Sequence, residues 1–271
     1  MFSPMGPFDS LADWPVEHVA ASVIGPDGTH HNHGDIDAPF PLASVTKLLT
    51  ALAALVAHEE GTLPLDEPIT DEGATAADLL AHSSGIAPDE ASQMTLIRTR
   101  RIYSTAAYEM LAGHIADRAE MTFADYLHEA VMAPLGLRST TLTGSAGAGA
   151  SASVRDLSDV AAAWSTPVLV DQTTLNRATR PHLPELTGVL PGFGRQDPNL
   201  WGLGPEIRGQ KSPHWTAAEN SPGTFGHFGQ SGTMMWTDPS VGVTAIALTD
   251  RPFGEWAATA WPRFSAAALL L

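Results

Sequence analysis

The sequence predicts an α+β fold: an antiparallel sheet flanked by helices, joined to a second, mostly helical lobe. Three observations point there. Strand–turn–strand patterns stand near both ends of the chain, the middle carries repeated helix-capping signals, and one helix between them is apolar on nearly every face. Terminal strands that pair with each other would build one sheet, and a cleft would lie between it and the central helices. With 271 residues and 44% hydrophobic content, the chain can bury a large core. A single domain over 1–271 is expected, with an α/β lobe at about 1–70 plus 200–271 and a helical lobe at about 71–199.

The elements follow in order. "EHVAASVIGPDGTHHNHG" is a β-rich run, a Pro-Asp-Gly turn and a polar run, which predicts a hairpin over 17–33. Residues 44–58 are apolar all round, the pattern of a helix buried on all sides. Thr75 with Asp78, Thr122 with Asp125, and Ser153 with Asp156 have the Ser/Thr-x-x-Asp spacing that caps a helix start. A further helix is predicted over 104–118, and "MAPLG" ends the next one at Pro134 and Gly136. From 181 to 223, Pro, Gly and aromatics such as Phe193, Trp201 and Trp215 indicate loop-rich wall. "GTMMWTDPSVGVTAIALTD" predicts a second hairpin, and a helical tail starts near 254.

Charge and composition narrow the function. The formal net charge is −16, and "RTRR" at 98–101 is the longest basic cluster, so nucleic acid and anionic membrane are not expected partners. The N-terminus has neither a basic n-region nor an apolar h-region, and the apolar runs are too short to span a bilayer, so a cytoplasmic location is expected. There is no cysteine, which excludes disulfides and thiolate chemistry and leaves a hydroxyl, an amine or a carboxylate for covalent work. His31 and His33 in "THHNHG" could share one strand face, but no third ligand is fixed by spacing; no metal and no cofactor are expected. His82 is expected to be a structural hydrogen-bonder, and "DEPITDEG" a solvated surface.

The chain has only two lysines, Lys47 and Lys211, and Lys47 stands three residues after Ser44 at the head of the apolar helix. Side chains at i and i+3 on a helix are neighbours, so the two can touch. Ser44 at the first turn would also benefit from the helix's positive end and its unpaired N–H groups. A buried lysine loses solvation, its pKa falls, and neutral amine becomes available to take the serine proton. The plain alternative is an N-cap serine beside a lysine that snorkels to solvent, and the spacing alone does not separate the two.

"PLASVTK" resembles the Ser-x-x-Lys motif of the serine β-lactamase and penicillin-binding-protein superfamily, which also serves as a general example of that motif. The closest likeness is to its class C and family VIII carboxylesterase branch. "DLLAHSSGI", "MAPLGLRSTTL", "ASVRDLSDV", "WGLG" and "FGHFGQSGTMMWTDP" resemble further family segments in the same order, from about residue 17 to residue 250. The resemblance implies Ser44 as the acylated nucleophile, Lys47 as its proton acceptor and Tyr103 as a partner in proton transfer. A phenol beside an ammonium would have its pKa lowered. The resemblance also implies an oxyanion hole from the N–H groups of Ser44 and Gln230, and substrate contacts from Thr105, His227 and Gly229. Gly226 and Gly229 would let an edge strand approach substrate.

Two positions depart from the family pattern. Thr105 stands where Asn is expected, so the amide that would hold an acylamino carbonyl and orient Lys47 is missing. His227 replaces a lysine and, largely neutral at pH 7, would grip a substrate carboxylate weakly. The expectation is a cofactor-free serine hydrolase for small esters or amides, with weak or no β-lactam hydrolysis. The alternatives are a class C-type β-lactamase or D-amino peptidase, and a catalytically silent protein that binds acyl ligands or regulates a partner. The sequence leaves the oligomeric state open.

Overall fold

In a computed structural model, which describes residues 6–271, the chain opens with β1 (Val19–Ile24), β2 (His30–His33) and β3 (Phe40–Pro41). A 3-10 turn, Ala43–Val45, leads into α1 (Thr46–Glu59). The middle carries α2 (Ala76–Leu80), α3 (Thr105–Ala119), α4 (Phe123–Leu127), a π turn at His128–Met132, α5 (Ala133–Leu135), β4 (Thr141–Leu142), β5 (Ala150–Ala152), α6 (Val154–Ser165) and α7 (Gln172–Ala178). Then come β6 (Gly188–Leu190), β7 (Gly194–Gln196), β8 (Glu206–Ile207), β9 (Phe225–Gly229), β10 (Thr233–Asp238), β11 (Val243–Thr249) and α8 (Glu255–Ala268).

The two terminal hairpins pair as expected. The main sheet is antiparallel in the order β2-β1-β11-β10-β9-β8, with Val19 opposite Thr249 and Ile24 opposite Thr244. Side chains alternate between its faces, and both faces are buried. On β10, Met235 joins the core of α1, while Met234 and Trp236 join a second core with Trp261 and Phe264 of α8. Central strands covered on both sides lose the usual apolar-in, polar-out pattern, which is why β11 reads as a nearly continuous apolar run.

All three capping signals hold. Thr75 and Asp78 form a reciprocal capping box at α2, Thr122 caps α4, and Ser153 caps α6. The helix expected at 104–118 is α3, with Ser104 as its cap. Pro134 does not end its helix: it lies in the first turn of α5, after the π turn, and the helix stops at Gly136, whose φ of 68° is left-handed. Helix α6 packs on the sheet, against β1, β10 and β11, and α1 lies between β9 on one side and α3 and α4 on the other. The loop-rich wall contains a short hairpin, β6–β7, that the sequence reading missed. His30, His31 and His33 sit on the outer strand β2, and no acid gathers with them into a metal-sized cluster among the described residues. Among those residues no helix is long and apolar enough to cross a membrane.

Candidate active site

The site forms where the turn before α1 meets the end of β9. Ala43 is left-handed, with φ at 44°, a conformation that costs a non-glycine residue free energy and marks a sharp bend. The bend presents Ser44, half-buried and within reach of solvent, while Lys47 one turn on is fully buried. Lys47 Nζ lies 3.4 Å from Ser44 Oγ, 3.3 Å from Thr105 Oγ1 and 2.8 Å from the Gly147 carbonyl oxygen. Burial lowers its pKa to about 7, against the weaker pull of Glu109 and Asp89. The carbonyl of Gly147 can only accept. A neutral amine that donates to Gly147 and Thr105 therefore keeps its lone pair for the Ser44 hydroxyl. The sequence reading missed that Thr105 helps to hold Lys47 by its hydroxyl, although it lacks an amide.

Gly147 reaches Lys47 because its loop is tied on both sides. Thr46 Oγ1 accepts from the Ala150 N–H at 3.0 Å and Thr50 Oγ1 donates to the Ala146 carbonyl, while Glu109 on α3 accepts from the N–H groups of Ala146 and Gly147. A Cβ at Gly147 would stand 2.9 Å from Thr105 Cγ2, so the close approach requires glycine. Neither Gly147 nor Glu109 was found from sequence. The only signal was the small-residue run "SAGAGA", which does not say what it would touch.

Tyr103 closes the other side. Its ring centroid is 4.8 Å from Lys47 Nζ, and its hydroxyl is 3.5 Å from His227 Nε2. The expectation of a lowered phenol pKa is overturned. Burial raises the Tyr103 pKa, and contact with the Ser44 hydroxyl offsets that only in part. The reason is that the ring is desolvated and the Glu206 carboxylate also disfavours a phenolate, while the neighbouring amine is only half-protonated at pH 7. His227 is buried, and its pKa is pushed down to about 3 by burial and by Lys47. Its Nδ1 lies 2.7 Å from the Phe228 carbonyl and must donate to it. Nε2 of the neutral ring is then an acceptor, so Tyr103 O–H points its proton at His227.

His82 is a brace, as expected. Its Nδ1 accepts from the Ser104 N–H at 3.2 Å, and its ring packs 4.6 Å from Tyr103 and 4.9 Å from Trp201. Asp78 anchors that loop by accepting from the Thr75 N–H, Ser83 Oγ and Arg98.

Ser44, Tyr103, His227 and Gln230 line one narrow cleft of about 30 Å³, together with Leu190, Trp201, Glu206 and Phe228. Among the described residues the Gln230 N–H has no partner. β9 is not an edge strand throughout: β8 pairs with it at Phe225 and Gly226, and only His227–Gly229 is left open on that side. A Cβ at Gly226 would meet the Met235 carbonyl at 2.1 Å, and one at Gly229 the Leu42 carbonyl at 2.1 Å. Backbone packing, before any substrate, therefore demands both glycines. The sequence reading brought Ser44, Lys47, Tyr103, Thr105, His227, Gly229 and Gln230 to one place, and the structure gathers all seven there; it did not single out Leu190, Glu206 or Phe228.

Comparison with known proteins identifies the family and the fold. The family described as Beta-lactamase matches residues 17–270. A beta-lactamase from Mycobacterium bovis is 46% identical, with a TM-score of 0.95 over 97% of this chain and 98% of that one. A simvastatin synthase mutant from Aspergillus terreus (TM-score 0.80, 16% identity, 96% of each chain) shares the fold. So does EstCE1, a hydrolase with promiscuous acyltransferase activity (TM-score 0.77, 15% identity, 96% of this chain and 95% of that one). No curated protein matches by sequence. With its family pattern spanning nearly the whole length and a close structural relative over the same span, the chain belongs to the beta-lactamase family of serine hydrolases.

Proposed function

We propose that the protein hydrolyses small esters through an acyl-enzyme on Ser44. The observation that carries this reading is a fully buried Lys47 within 3.4 Å of an accessible Ser44 hydroxyl, with its pKa lowered to about 7. Ser44 Oγ attacks the carbonyl carbon as its proton passes to Lys47 Nζ. The carbonyl oxygen takes the negative charge and is held by the N–H groups of Ser44 and Gln230. The bond from carbon to the leaving oxygen breaks as Tyr103 gives that oxygen its proton, and the Lys47 ammonium reprotonates Tyr103. Water then attacks the acyl carbon, its proton goes to Lys47, and Ser44 leaves with a proton returned from there. The net change is ester plus water to acid plus alcohol.

Three features favour esters over β-lactams. His227 is neutral and gives no cation for a substrate carboxylate beside Ser44. Thr105 has no amide for an acylamino carbonyl, and the cleft is narrow enough to suit a short acyl group. The 46% identity to a protein described as a beta-lactamase favours β-lactam hydrolysis as the second reading. The test is a panel of chromogenic esters beside a chromogenic cephalosporin, with fluorophosphonate labelling of the parent and Ser44→Ala. Ester turnover above cephalosporin turnover, with labelling lost in Ser44→Ala, is expected. Faster cephalosporin turnover would establish the second reading, and undiminished activity in Ser44→Ala would remove Ser44 as nucleophile.

A further inference from the structure

Beyond Tyr103 lies a second, larger cavity of about 460 Å³ that the mechanism leaves unused. Tyr103 and Pro191 line both spaces. Its walls are apolar, with Ile102, Pro88 and the exposed side chains of Met94 and Val189. Three arginines also line it: Arg101, which is buried, and Arg100 and Arg195, both exposed.

The state of the two exposed ones sets them apart from the other arginines nearby. In "RTRR", Arg98 is committed to Asp78 at 2.7 Å, and Arg101 is buried with its guanidinium on the carbonyls of Ala81, Asn199, His182 and Leu183. Arg100 has no acceptor among the described residues. Arg195 has one loose neighbour, Asp197, at 3.8 Å between two exposed side chains. In a chain of net charge −16, one unpaired and one loosely paired guanidinium beside an apolar cavity offer cations that an anion can reach. Arginine binds carboxylates through a planar donor fork.

The side of the scissile bond follows from Tyr103. A group that protonates the leaving oxygen must touch the leaving group, so the cavity past Tyr103 is on the alcohol side. The acyl group is left with the narrow cleft at Ser44. We propose that this cavity is the leaving-group subsite, and that it selects esters whose alcohol part is apolar and carries a carboxylate, gripped by Arg100 and Arg195. The proposal rests on the ester-hydrolase reading for its orientation. It shifts anion recognition away from His227, where no cation is available, to the far side of Tyr103.

The experiment compares para-acetoxybenzoate with its neutral counterpart para-acetoxybenzamide on the parent, Arg100→Gln, Arg195→Gln and the double variant. Arg177→Gln, on a remote pair with Asp66, is the control. The parent is expected to favour the anion roughly tenfold in kcat/KM. Each single variant should lose roughly threefold of that preference, through KM and not kcat, and the double variant should show none. Raising salt should erode the parent's preference, because exposed charges are screened. Calorimetry with the products para-hydroxybenzoate and para-hydroxybenzamide reads the same preference without catalysis. If the parent turns over neither ester, the hydrolase reading falls, and calorimetry still decides the subsite. Equal handling of anion and amide by the parent, or a preference that survives in the double variant, overturns the proposal.

Discussion

The two lysines of the chain are both buried, and they flank one aromatic wall in opposite electrostatic settings. Lys47 Nζ lies 4.8 Å from the Tyr103 ring, Lys211 Nζ lies 5.5 Å from the Trp201 ring, and the two rings are 5.8 Å apart. Lys211 has a carboxylate, Glu206, at 2.5 Å, along with the carbonyls of Leu200 and Ile207. Lys47 has a carbonyl and two hydroxyls, and among the described residues no carboxylate within ion-pair distance. Burial lowers both, Lys47 to about 7 and Lys211 to about 8, but in the second case Glu206 resists it. Burial would raise Glu206; Lys211 and His214 more than reverse that and hold it well below the usual carboxylate range. The same residue type is thus held as a structural cation where a carboxylate meets it, and is suited to the proposed role of base where only neutral acceptors do.

The largest expected effect breaks the structural half. Glu206→Gln leaves Lys211 buried without a counter-charge, and breaking a buried pair costs about 3–5 kcal/mol. Because His214 Nε2 at 2.9 Å and the Trp215 indole also donate to Glu206, the loss extends beyond one pair. Adding Lys211→Met should recover part of the loss, since the stranded charge is gone. Denaturant midpoints of both single variants and the double variant check this. Strictly additive losses would show that the pair is uncoupled.

Next in size is the catalytic half. Lys47→Arg keeps a cation at the site but cannot release its proton near neutral pH. Ester turnover should fall by on the order of a hundredfold or more, and a denaturant midpoint taken alongside separates that loss from the cost of a larger, permanently charged group at a fully buried position. Activity within a few-fold of the parent would mean that Lys47 acts only as a charge, and that Tyr103 takes the serine proton. The phenol's raised pKa speaks against that outcome.

How far the sequence disclosed this contrast depends on chain separation. Ser44 and Lys47 are one helical turn apart, so local geometry was enough to pair them. Tyr103, His227 and Gln230 were found only because several family segments recur in order. Gly147 lies 100 positions from Lys47, and nothing periodic in "SAGAGA" announces a carbonyl aimed at an amine. The Glu206–Lys211 pair sits five residues apart in a Pro- and Gly-rich stretch that reads as surface loop, although both side chains are almost wholly buried. The fold was more legible than the site. Hairpins and caps are local signals; the short β6–β7 hairpin escaped, its strands cut by Gly188, Gly192 and Gly194, as did the small β3-β5-β4 sheet and α7. The Tyr103 error had a different cause: a sequence shows which charge is adjacent, but not how far the phenol beside it is desolvated.

A smaller effect concerns pH. If Lys47 is the base, kcat/KM on a neutral ester should rise about tenfold per unit below about pH 7 and level off above it, as the amine loses its proton. His227, with its pKa near 3, is neutral throughout that range and contributes no second limb there. A profile flat from pH 6 to pH 9 would remove Lys47 as the titrating group.

The smallest effect separates the two lysines by stability alone. Stability changes with pH in proportion to the protons bound by the unfolded chain minus those bound by the folded one. Between the Lys47 pKa of about 7 and the ordinary lysine value of 10.5, the unfolded side chain is protonated and the folded one is increasingly neutral. The difference is positive, so stability should rise with pH, by at most about 1.4 kcal/mol per unit from this one group. Lys211 adds a like contribution only from about pH 8 upward. Lys47→Met removes the first contribution and keeps the second. Its stability curve should therefore be flatter than the parent's between about pH 7 and pH 10, and should run parallel with it only above about pH 10.5. Lys47→Met strands no counter-charge but leaves the Gly147 carbonyl without its donor, so it should cost about 1–3 kcal/mol, whereas Lys211→Met should cost about 3–5 kcal/mol by stranding Glu206. Denaturant titrations at half-unit steps of pH would measure both quantities. Identical slopes for parent and Lys47→Met would mean that the buried amine keeps its proton in the folded protein, and the division between a structural and a catalytic lysine would not hold.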